Sequence, residues 1–530
     1  MLHTLTSRYG MVVAPHHLAA QSGLAVLREG GNAVEAMVAA AATIAVVYPH
    51  MNSIGGDGFW LIAEPGKRPF GIDACGAAAT AASPAFYAAH GCTEIPARGP
   101  LAALTAAGTV SGWAKALDLA SRWGGKPLPL PRLLADAITY AEEGVPVADN
   151  LADTLAASRA VLEDMPCFKA LFLAEGLPQS GNILKNPALA VTLRRLAQAG
   201  LGDFYRGEIA RSMAEDLEAA GSPLRLSDLA AQEAAAVTPL SVRLKAGEVF
   251  NLPPPTQGLA SLLILALYDR MAAEAPDGFD HIHRLVEATK AAFRIRDYAA
   301  IDPRHVLAPP ESFLTEAFIA GLAAGIDPAR AQAWPAPKPD AGDTVWMGAI
   351  DSEGRAVSFI QSTFWEFGSG LVLPKTGVTW HNRGVSFSLD PASPRALQPW
   401  RKPFHTLNPA LALLNDGRAM VYGTRGGEGQ PQTQAAVFTR YVHHGYELQA
   451  AVTAPRWLLG RTVGAPSTAL KLEARVPPAV FEALRAAGHE TEWLPEFSSA
   501  VGHAGALVLH PNGVISGAFD PRSDGSVAAA

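Results

Sequence analysis

Cysteine is scarce in this sequence. The 530 residues contain three, Cys75, Cys92 and Cys167, and no two of them have a paired spacing. Such a set supplies neither a disulfide framework nor the ligand spacing of a zinc site. We therefore expect a protein of a reducing compartment, the cytoplasm.

Charge and long apolar runs are also in short supply. Charged residues make up 17% of the chain, and the net charge is −7, so the basic surface of a nucleic-acid or anionic-membrane binder is not expected. The most apolar run, residues 33–49, is too short to span a bilayer comfortably and contains Glu35. The first residues lack the apolar core of a signal peptide. We predict a buried helix from residue 33, with Asn32 as its N-cap.

What the sequence has is apolar residues, 49% of the chain, in patterns that change along its length. Helical spacing dominates residues 110–235 and recurs at 259–300. A segment rich in Pro, Ala, Gly and Asp, residues 327–343, predicts an exposed loop. Strand patterns follow it at 345–362, 377–382, 410–424 and 505–520. This order predicts helices layered on antiparallel sheets, an α+β fold.

Several local motifs fail to indicate a site. The glycine loop at 54–59 lacks the Lys of a phosphate-binding loop and is better explained as a turn. His283 and Glu287 stand one helical turn apart, but no third metal ligand accompanies them at a suitable spacing, so no metal site is predicted. Cys75 has no neighbour in the sequence that would lower its pKa, which favours a buried residue over a nucleophile.

Two other motifs could belong to an acyl-transfer site. Gly426 and Gly427 follow a predicted strand directly, and adjacent glycines can turn backbone N–H groups toward an oxyanion, although a plain turn explains them as well. Thr344 lies where the loop meets a strand. A threonine becomes nucleophilic when it is N-terminal, because its own amine then acts as the base. That chemistry requires cleavage between Asp343 and Thr344, whereas β-propensity alone would make this threonine ordinary.

Seven segments, in this order along the chain, resemble the γ-glutamyltransferase family of N-terminal-nucleophile hydrolases. They are residues 24–62, 252–258 (LPPPTQG), 283–297, 342–362 (beginning GDTVWMGAID), 367–378, 402–411 (KPFHTLNPAL) and 423–432 (GTRGGEGQPQ). Each segment is a modest match, whereas seven collinear ones are a specific signal. The resemblance implies a four-layer αββα sandwich. It also implies one precursor that cleaves itself into a large chain, 1–343, and a small chain, 344–530.

The resemblance also implies roles for individual residues. Thr344 takes the position of the nucleophile in both self-cleavage and turnover, and Asp343–Thr344 is the bond to be cleaved. Gly426 and Gly427 match the family's oxyanion-hole glycines. Ser362 matches a threonine whose hydroxyl supports the nucleophile. No metal and no organic cofactor are implied.

The segments that would hold a γ-glutamyl substrate depart from the family pattern. The family's carboxylate-binding arginine falls near Cys75, in IDACGAA. The other departures, each given with the family residue that it replaces, are Phe364 for Asn, Arg383 for Gln, Ser386 for Asp, and His405 for Ser. Thr406, in place of a serine, keeps its hydroxyl. Loss of a charge-assisted arginine–carboxylate contact argues against a γ-glutamyl donor.

We therefore predict an amidohydrolase that acts on a small carboxylate carrying an amide. The chain is most similar to the oxamate amidohydrolase branch, which hydrolyses oxamate to oxalate and ammonia. Arg383 and Arg425 are expected to bind the substrate carboxylate, with Thr406, His405 and Phe364 lining the pocket. The alternatives are a γ-glutamyl hydrolase or transferase and a scaffold without catalysis. The expected partners are the small amide and the two chains of one precursor; self-association is left open.

Overall fold

The computed structural model describes residues 2–334, 342–460 and 467–530, without the side chains of Pro166 and Asp343. Residues 335–341, which belong to the exposed loop predicted at 327–343, lie outside the described part. The α-helices are α1 (His17–Arg28), α2 (Ala33–Val47), α3 (Pro84–Ala89), α4 (Thr109–Ala120), α5 (Leu130–Leu133), α6 (Ala135–Glu143), α7 (Asp149–Leu162), α8 (Pro166–Phe172), α9 (Pro187–Ala199), α10 (Asp203–Arg206), α11 (Glu208–Ala220), α12 (Leu226–Ala230), α13 (Gly258–Arg270), α14 (Phe279–Ala299), α15 (Glu316–Ala324), α16 (Gln430–Phe438), α17 (Leu448–Thr453) and α18 (Pro478–Ala486).

The described strands lie before residue 252 and after residue 342. They are β1 (Leu5–Ser7), β2 (Gly10–Ala14), β3 (Asp57–Ala63), β4 (Phe70–Ala74), β5 (Val145–Pro146), β6 (Ile183–Leu184), β7 (Ala235–Val237), β8 (Leu240–Leu244), β9 (Gly247–Asn251), β10 (Asp343–Asp351), β11 (Ala356–Phe364), β12 (Ala410–Leu414), β13 (Ala419–Thr424), β14 (Trp457–Leu459), β15 (Leu470–Glu473), β16 (Thr491–Leu494), β17 (Ala504–Leu509), β18 (Ile515–Phe519) and β19 (Ser526–Ala529).

The helix predicted from residue 33 is α2, and its first turn is held as predicted. The Asn32 side chain accepts hydrogen bonds from the N–H groups of Val34 and Glu35, while the Glu35 carboxylate accepts one from the Asn32 N–H. This reciprocal pair is a capping box. Every residue of α2 is buried, which explains its continuous apolar sequence. No helix in the described part of the chain is long and apolar enough to cross a membrane.

Within the described residues, two sheets of seven strands form the centre of the fold. Their strand orders are β19-β2-β10-β11-β3-β4-β7 and β1-β18-β17-β13-β12-β9-β8. The predicted hairpins β10–β11, β12–β13 and β17–β18 are all present and antiparallel. The strand predicted at 377–382 is wrong: the described bridges there, Gly55 to Trp380 and Val372 to Thr379, are isolated. The chain turns at Gly377, which has a positive φ, and then enters a short helical turn at Arg383–Ser386.

Alternation along β10 shows how the layers form. Val345, Met347 and Ala349 pack into a core with α1 and α2, on one face of the first sheet. Trp346 and Ile350 point the other way, into a core shared with the second sheet.

The second sheet is covered on its outer face by α13, α14 and α16. The resulting order is helix, sheet, sheet, helix, which confirms the predicted αββα sandwich. Segments before and after Thr344 contribute strands to both sheets. The division of the chain at that point stays a prediction.

Candidate active site

Thr344 lies at an irregularity in the pairing of β10 with β11. Asp343 pairs with Phe364 and Val345 pairs with Gln361, so one residue on β10 faces two on β11. Such a bulge turns a side chain away from the regular pleat. The Thr344 Oγ1 lies 3.3 Å from the Ser362 Oγ, to which it donates. Ser362 Oγ in turn accepts from the Phe364 N–H at 2.7 Å, so the hairpin holds both hydroxyls in place.

The glycine pair lies beside the chain that leads into Thr344. Gly426 and Gly427 have φ values of +117° and +52°, in the region that favours glycine. A Cβ at Gly342 would lie 3.1 Å from the Gly427 Cα, and a Cβ at Gly427 would lie 3.0 Å from the Gly342 nitrogen. A side chain at either position would crowd the other segment, and at Gly427 it would also be strained by the positive φ. The structure therefore brings the predicted oxyanion turn against the segment two residues before Thr344.

Arg383 is buried and contacts two of the residues predicted to accompany it. Its Nη2 donates to the Thr406 Oγ1 at 3.1 Å, and its Nη1 donates to the Phe404 carbonyl at 3.2 Å. The guanidinium carbon is 3.5 Å from the centre of the Phe364 ring, a cation–π contact. Ser386 donates to the carbonyls of Arg383 and Phe404 and so stabilises the backbone of this turn.

His405 adjoins this pocket and faces a buried carboxylate. Its Nε2 lies 3.1 Å from the Asp57 Oδ2, and the His381 Nδ1 lies 3.4 Å from the same oxygen. Burial raises the pKa of Asp57, but His381 and then His405 outweigh it and hold that pKa well below its usual range. Burial, followed by the charge of Arg383, lowers the pKa of His405 to about 4. His405 is therefore neutral at neutral pH, and Asp57 is ionised.

The described contacts of Arg425 are made with the loop at 499–503. Its Nη2 donates to the Ser499 carbonyl at 2.9 Å and to the Ser499 hydroxyl. That hydroxyl also lies 2.8 Å from the His503 Nε2. A role for Arg425 in substrate binding stays a prediction.

Comparison with known proteins decides the family. The model of the gamma-glutamyltranspeptidase family matches residues 19–530. The chain belongs to the gamma-glutamyltranspeptidase family. It is 54% identical over 523 residues to the oxamate amidohydrolase proenzyme of Klebsiella pneumoniae, covering 98% of each chain. It is 35% identical to the glutathione hydrolase-like YwrD proenzyme of Bacillus subtilis, covering 97% of each.

Solved structures of the same fold agree with this placement. The cephalosporin acylase of Bacillus halodurans is 31% identical, with a TM-score of 0.91 over all of this chain and 97% of that one. The γ-glutamyltranspeptidase of Helicobacter pylori is 27% identical, with a TM-score of 0.55 over 60% of this chain and 91% of that one.

Cys75 is the residue near which the family's carboxylate-binding arginine is expected to fall. The thiol is buried, and burial together with the neighbouring Asp73 raises its pKa well above the usual value, as expected for a residue that is not a nucleophile. Cys75 lines a cavity of about 330 Å³ together with Lys402 and Arg304. The Lys402 Nζ is held by the Asp73 carboxylate at 2.7 Å.

The expectation that nothing completes the His283–Glu287 pair is wrong. The fold brings His489 to it, with its Nε2 2.9 Å from the His283 Nδ1. However, the Lys290 Nζ lies 2.6 Å from the Glu287 Oε1 and 2.7 Å from the Gln332 carbonyl. An ammonium group thus already neutralises the carboxylate that a metal ion would need. The contact between His283 and His489 spans 206 positions, so sequence spacing could not reveal it.

Two buried glutamines near the site were missed from the sequence. Gln430 donates through its Nε2 to the Thr344 Oγ1 at 3.5 Å. Gln257 donates to the carbonyls of Thr406 and Gly427. Both glutamines stand in segments that carry the family resemblance, LPPPTQG and GTRGGEGQPQ, which was the available signal.

Proposed function

We propose that this chain is a self-processing amidohydrolase with Thr344 as its nucleophile. The observation that carries the proposal is the placement of the Thr344 hydroxyl. It lies at a strand bulge, 3.3 Å from the Ser362 hydroxyl. The chain just before it rests on the Gly427 turn. A nucleophile, a supporting hydroxyl and candidate oxyanion donors are thus collected at one peptide bond.

Self-cleavage follows from this arrangement. The Thr344 Oγ attacks the carbonyl carbon of Asp343 and gives up its proton, and the Asp343–Thr344 C–N bond breaks. The Thr344 nitrogen takes a proton and becomes a free amine, while Asp343 is held as an ester on Oγ. Water then hydrolyses the ester. The products are the chains 1–343 and 344–530, and the hydroxyl of Thr344 is restored.

Turnover uses the amine that cleavage creates. That amine accepts the proton of the Thr344 hydroxyl, and the oxygen attacks the substrate amide carbon. N–H groups of Gly426 and Gly427 stabilise the oxyanion, an effect of about 3 to 4 kcal/mol in comparable sites. Ammonia leaves with the transferred proton, and water hydrolyses the acyl-enzyme. The reaction needs no metal or organic cofactor.

The pocket supports a small amide that carries a carboxylate, and we assign oxamate as substrate, with oxalate and ammonia as products. Arg383 is buried, and its guanidinium carbon lies 3.5 Å from the centre of the Phe364 ring, so the cation is held against an aromatic side chain. Thr406 and His405 line the same region, and Arg425 is the second candidate for the carboxylate. The 54% identity to the oxamate amidohydrolase proenzyme of K. pneumoniae supports this choice. We place the activity in the cytoplasm.

A γ-glutamyl hydrolase or transferase is the second candidate. The 35% identity to the glutathione hydrolase-like proenzyme of B. subtilis favours it. The replacement of the family's carboxylate-binding arginine near Cys75 argues against it. Ammonia release from oxamate, compared with p-nitroaniline release from γ-glutamyl p-nitroanilide, separates the two. Preference for the second substrate would overturn the assignment of oxamate.

A denaturing gel with N-terminal sequencing tests the chemistry itself. We expect two bands of about 36 and 20 kDa, apportioned by chain length, and the smaller should begin Thr-Val-Trp. Thr344→Ala should give one band and no turnover, whereas Thr344→Ser keeps a hydroxyl and should still be cleaved. An intact single chain with full activity, or an active Thr344→Ala variant, would contradict the mechanism. Absence of activity from both the wild-type protein and Thr344→Ala would favour the non-catalytic scaffold.

A further inference from the structure

Gln257 joins the two halves of the site through one side-chain amide. It is fully buried immediately before α13. Its Nε2 donates to the Thr406 carbonyl at 2.7 Å and to the Gly427 carbonyl at 2.8 Å. Its backbone N–H donates to the His405 carbonyl at 2.9 Å. The glycine turn and the segment that contacts Arg383 are therefore tied to the same residue.

Arg296 fixes which way this amide faces. Its Nη1 lies 3.4 Å from the Gln257 Oε1, and arginine can only donate, so the amide oxygen must face the guanidinium. The two amide hydrogens are then directed at the two carbonyls. Arg296 is itself held by the Glu428 carboxylate at 3.0 Å and by the Phe293 ring, whose centre is 3.8 Å from the guanidinium carbon. The orientation of Gln257 thus rests on a buried network.

We infer that Gln257 is a positioning residue for the oxyanion turn. Gly427 has no side chain to restrain its backbone. Its positive φ is one of many conformations that glycine can adopt at little cost. The bond from Gln257 supplies that restraint by fixing the Gly427 carbonyl. Its second bond sets the distance from the turn to Thr406, and so to Arg383. The inference rests on the proposed oxyanion role of Gly427.

A glutamate at position 257 would replace the two hydrogen bonds to the Thr406 and Gly427 carbonyls with repulsion between oxygen atoms. Gln257→Glu keeps the shape of the side chain but replaces two donors with a carboxylate that can only accept, opposite two carbonyl oxygens. The turn should then rotate away from the carboxylate. At acidic pH the protonated carboxyl regains one donor and should restore part of the geometry. A role confined to packing would not produce this dependence on pH.

Gln432 provides the matched control. It is equally buried, lies in α16, and donates to the Leu459 carbonyl at 3.0 Å. Its described contacts do not include Gly427 or Thr406. Gln432→Glu therefore introduces the same buried carboxylate away from the oxyanion turn.

The test compares Gln257→Glu, Gln257→Met and Gln432→Glu. Precursor conversion is followed on denaturing gels, kcat and KM are measured with oxamate across pH, and unfolding midpoints are measured against the Thr344→Ala precursor. We expect both Gln257 variants to slow conversion and to lower kcat by about 10- to 100-fold, with KM changed much less. The loss in Gln257→Glu should shrink at acidic pH. Gln432→Glu should retain kcat even where its midpoint falls.

Two results would overturn the inference. One is a wild-type kcat in Gln257 variants that have matured, and the other is an equal loss of kcat in Gln432→Glu. The inference is supported if a Gln257 variant does not mature although its precursor has the same unfolding midpoint as the Thr344→Ala precursor. If Thr344→Ala abolishes turnover while Gln257→Glu keeps full kcat, only this inference fails. If Thr344→Ala remains active, the proposed function fails.

Discussion

The side-chain oxygens of Thr344 and Ser362 lie 3.3 Å apart across the β10–β11 hairpin. Ser362 also accepts the N–H of Phe364, so its oxygen is held in one position. This fixed oxygen can orient the hydroxyl of Thr344, the proposed nucleophile, before each attack. The register is irregular at this point, because Thr344 on β10 faces two residues of β11, Ser362 and Thr363.

Ser362→Ala should therefore slow both self-cleavage and turnover. We expect a loss of about 10- to 100-fold in each rate, since a single orienting hydrogen bond is removed. Ser362→Thr, which keeps the hydroxyl, should retain most of both. Ser358→Ala is the control, because that serine is buried on the same strand but accepts from the Trp346 Nε1 at 2.9 Å. Equal losses in the two alanine variants would assign Ser362 a structural role only.

Removal of Arg383 should weaken the binding of a substrate carboxylate. A charge-assisted hydrogen bond contributes about 1.5 to 3 kcal/mol, so Arg383→Met should raise KM for oxamate by about 10- to 100-fold. Arg401→Met is the control, because Arg401 is also buried and donates to the Ala396 carbonyl at 2.8 Å. Steady-state ammonia release measures both variants. If KM is unchanged in Arg383→Met but raised in Arg425→Met, the substrate carboxylate is bound by Arg425 and not by Arg383.

The sequence predicted local structure where neighbours in the chain determine it. The capping box at Asn32 and the hairpin turn after Ile350 depend on residues three or four positions apart, and both are present. The αββα order and the family followed from the collinear segments. Contacts between distant parts of the chain could not be predicted from the sequence. Gln257 meets Gly427 across 170 positions, and no periodicity reports such a pair.

The surroundings of Thr344 could not be predicted from the sequence either, although they lie within one hairpin. Strand propensity predicted β10 and β11, but the irregular register between them depends on how two strands fit together in a sheet. The departures at Arg383 and Phe364 were visible as single replacements. The contact between the Arg383 guanidinium and the Phe364 ring could not be predicted, because it depends on the course of the chain between β11 and the turn at 383–386.

Phe364 should control substrate size. It has a φ of +80°, which is strained for an aromatic residue, and strain of this kind is often kept for function. Phe364→Asn suits that backbone conformation but removes the ring beneath Arg383 and opens the pocket. We expect the ratio of γ-glutamyl p-nitroanilide to oxamate turnover to rise by about tenfold or more.

Phe367→Asn is the matched control for Phe364→Asn. Phe367 also has a positive φ, +57°, but it packs with Phe168 and Phe172 in a separate cluster. Its substitution should lower stability without changing the substrate ratio. A shift of equal size in both variants would show that the ratio responds to loosening of the segment and not to the Phe364 ring.

His489 should make folding stability depend on pH. Burial, followed by the charges of Lys290 and His283, lowers its pKa to about 3, whereas the unfolded chain protonates histidine near 6.5. Between these values the unfolded state binds a proton that the folded state does not, so stability falls as pH drops from about 6.5. In the Thr344→Ala precursor, His489→Gln should cost about 1 kcal/mol at pH 7.5, because it alters the bond to His283. That deficit should vanish at about pH 6 and reverse by about pH 5, because only the wild-type chain loses stability through His489, by about 1.4 kcal/mol per pH unit below 6.5. Denaturant unfolding at each pH measures the free energy of unfolding of both proteins. If the two free energies change in parallel with pH, His489 is not the source of the pH dependence.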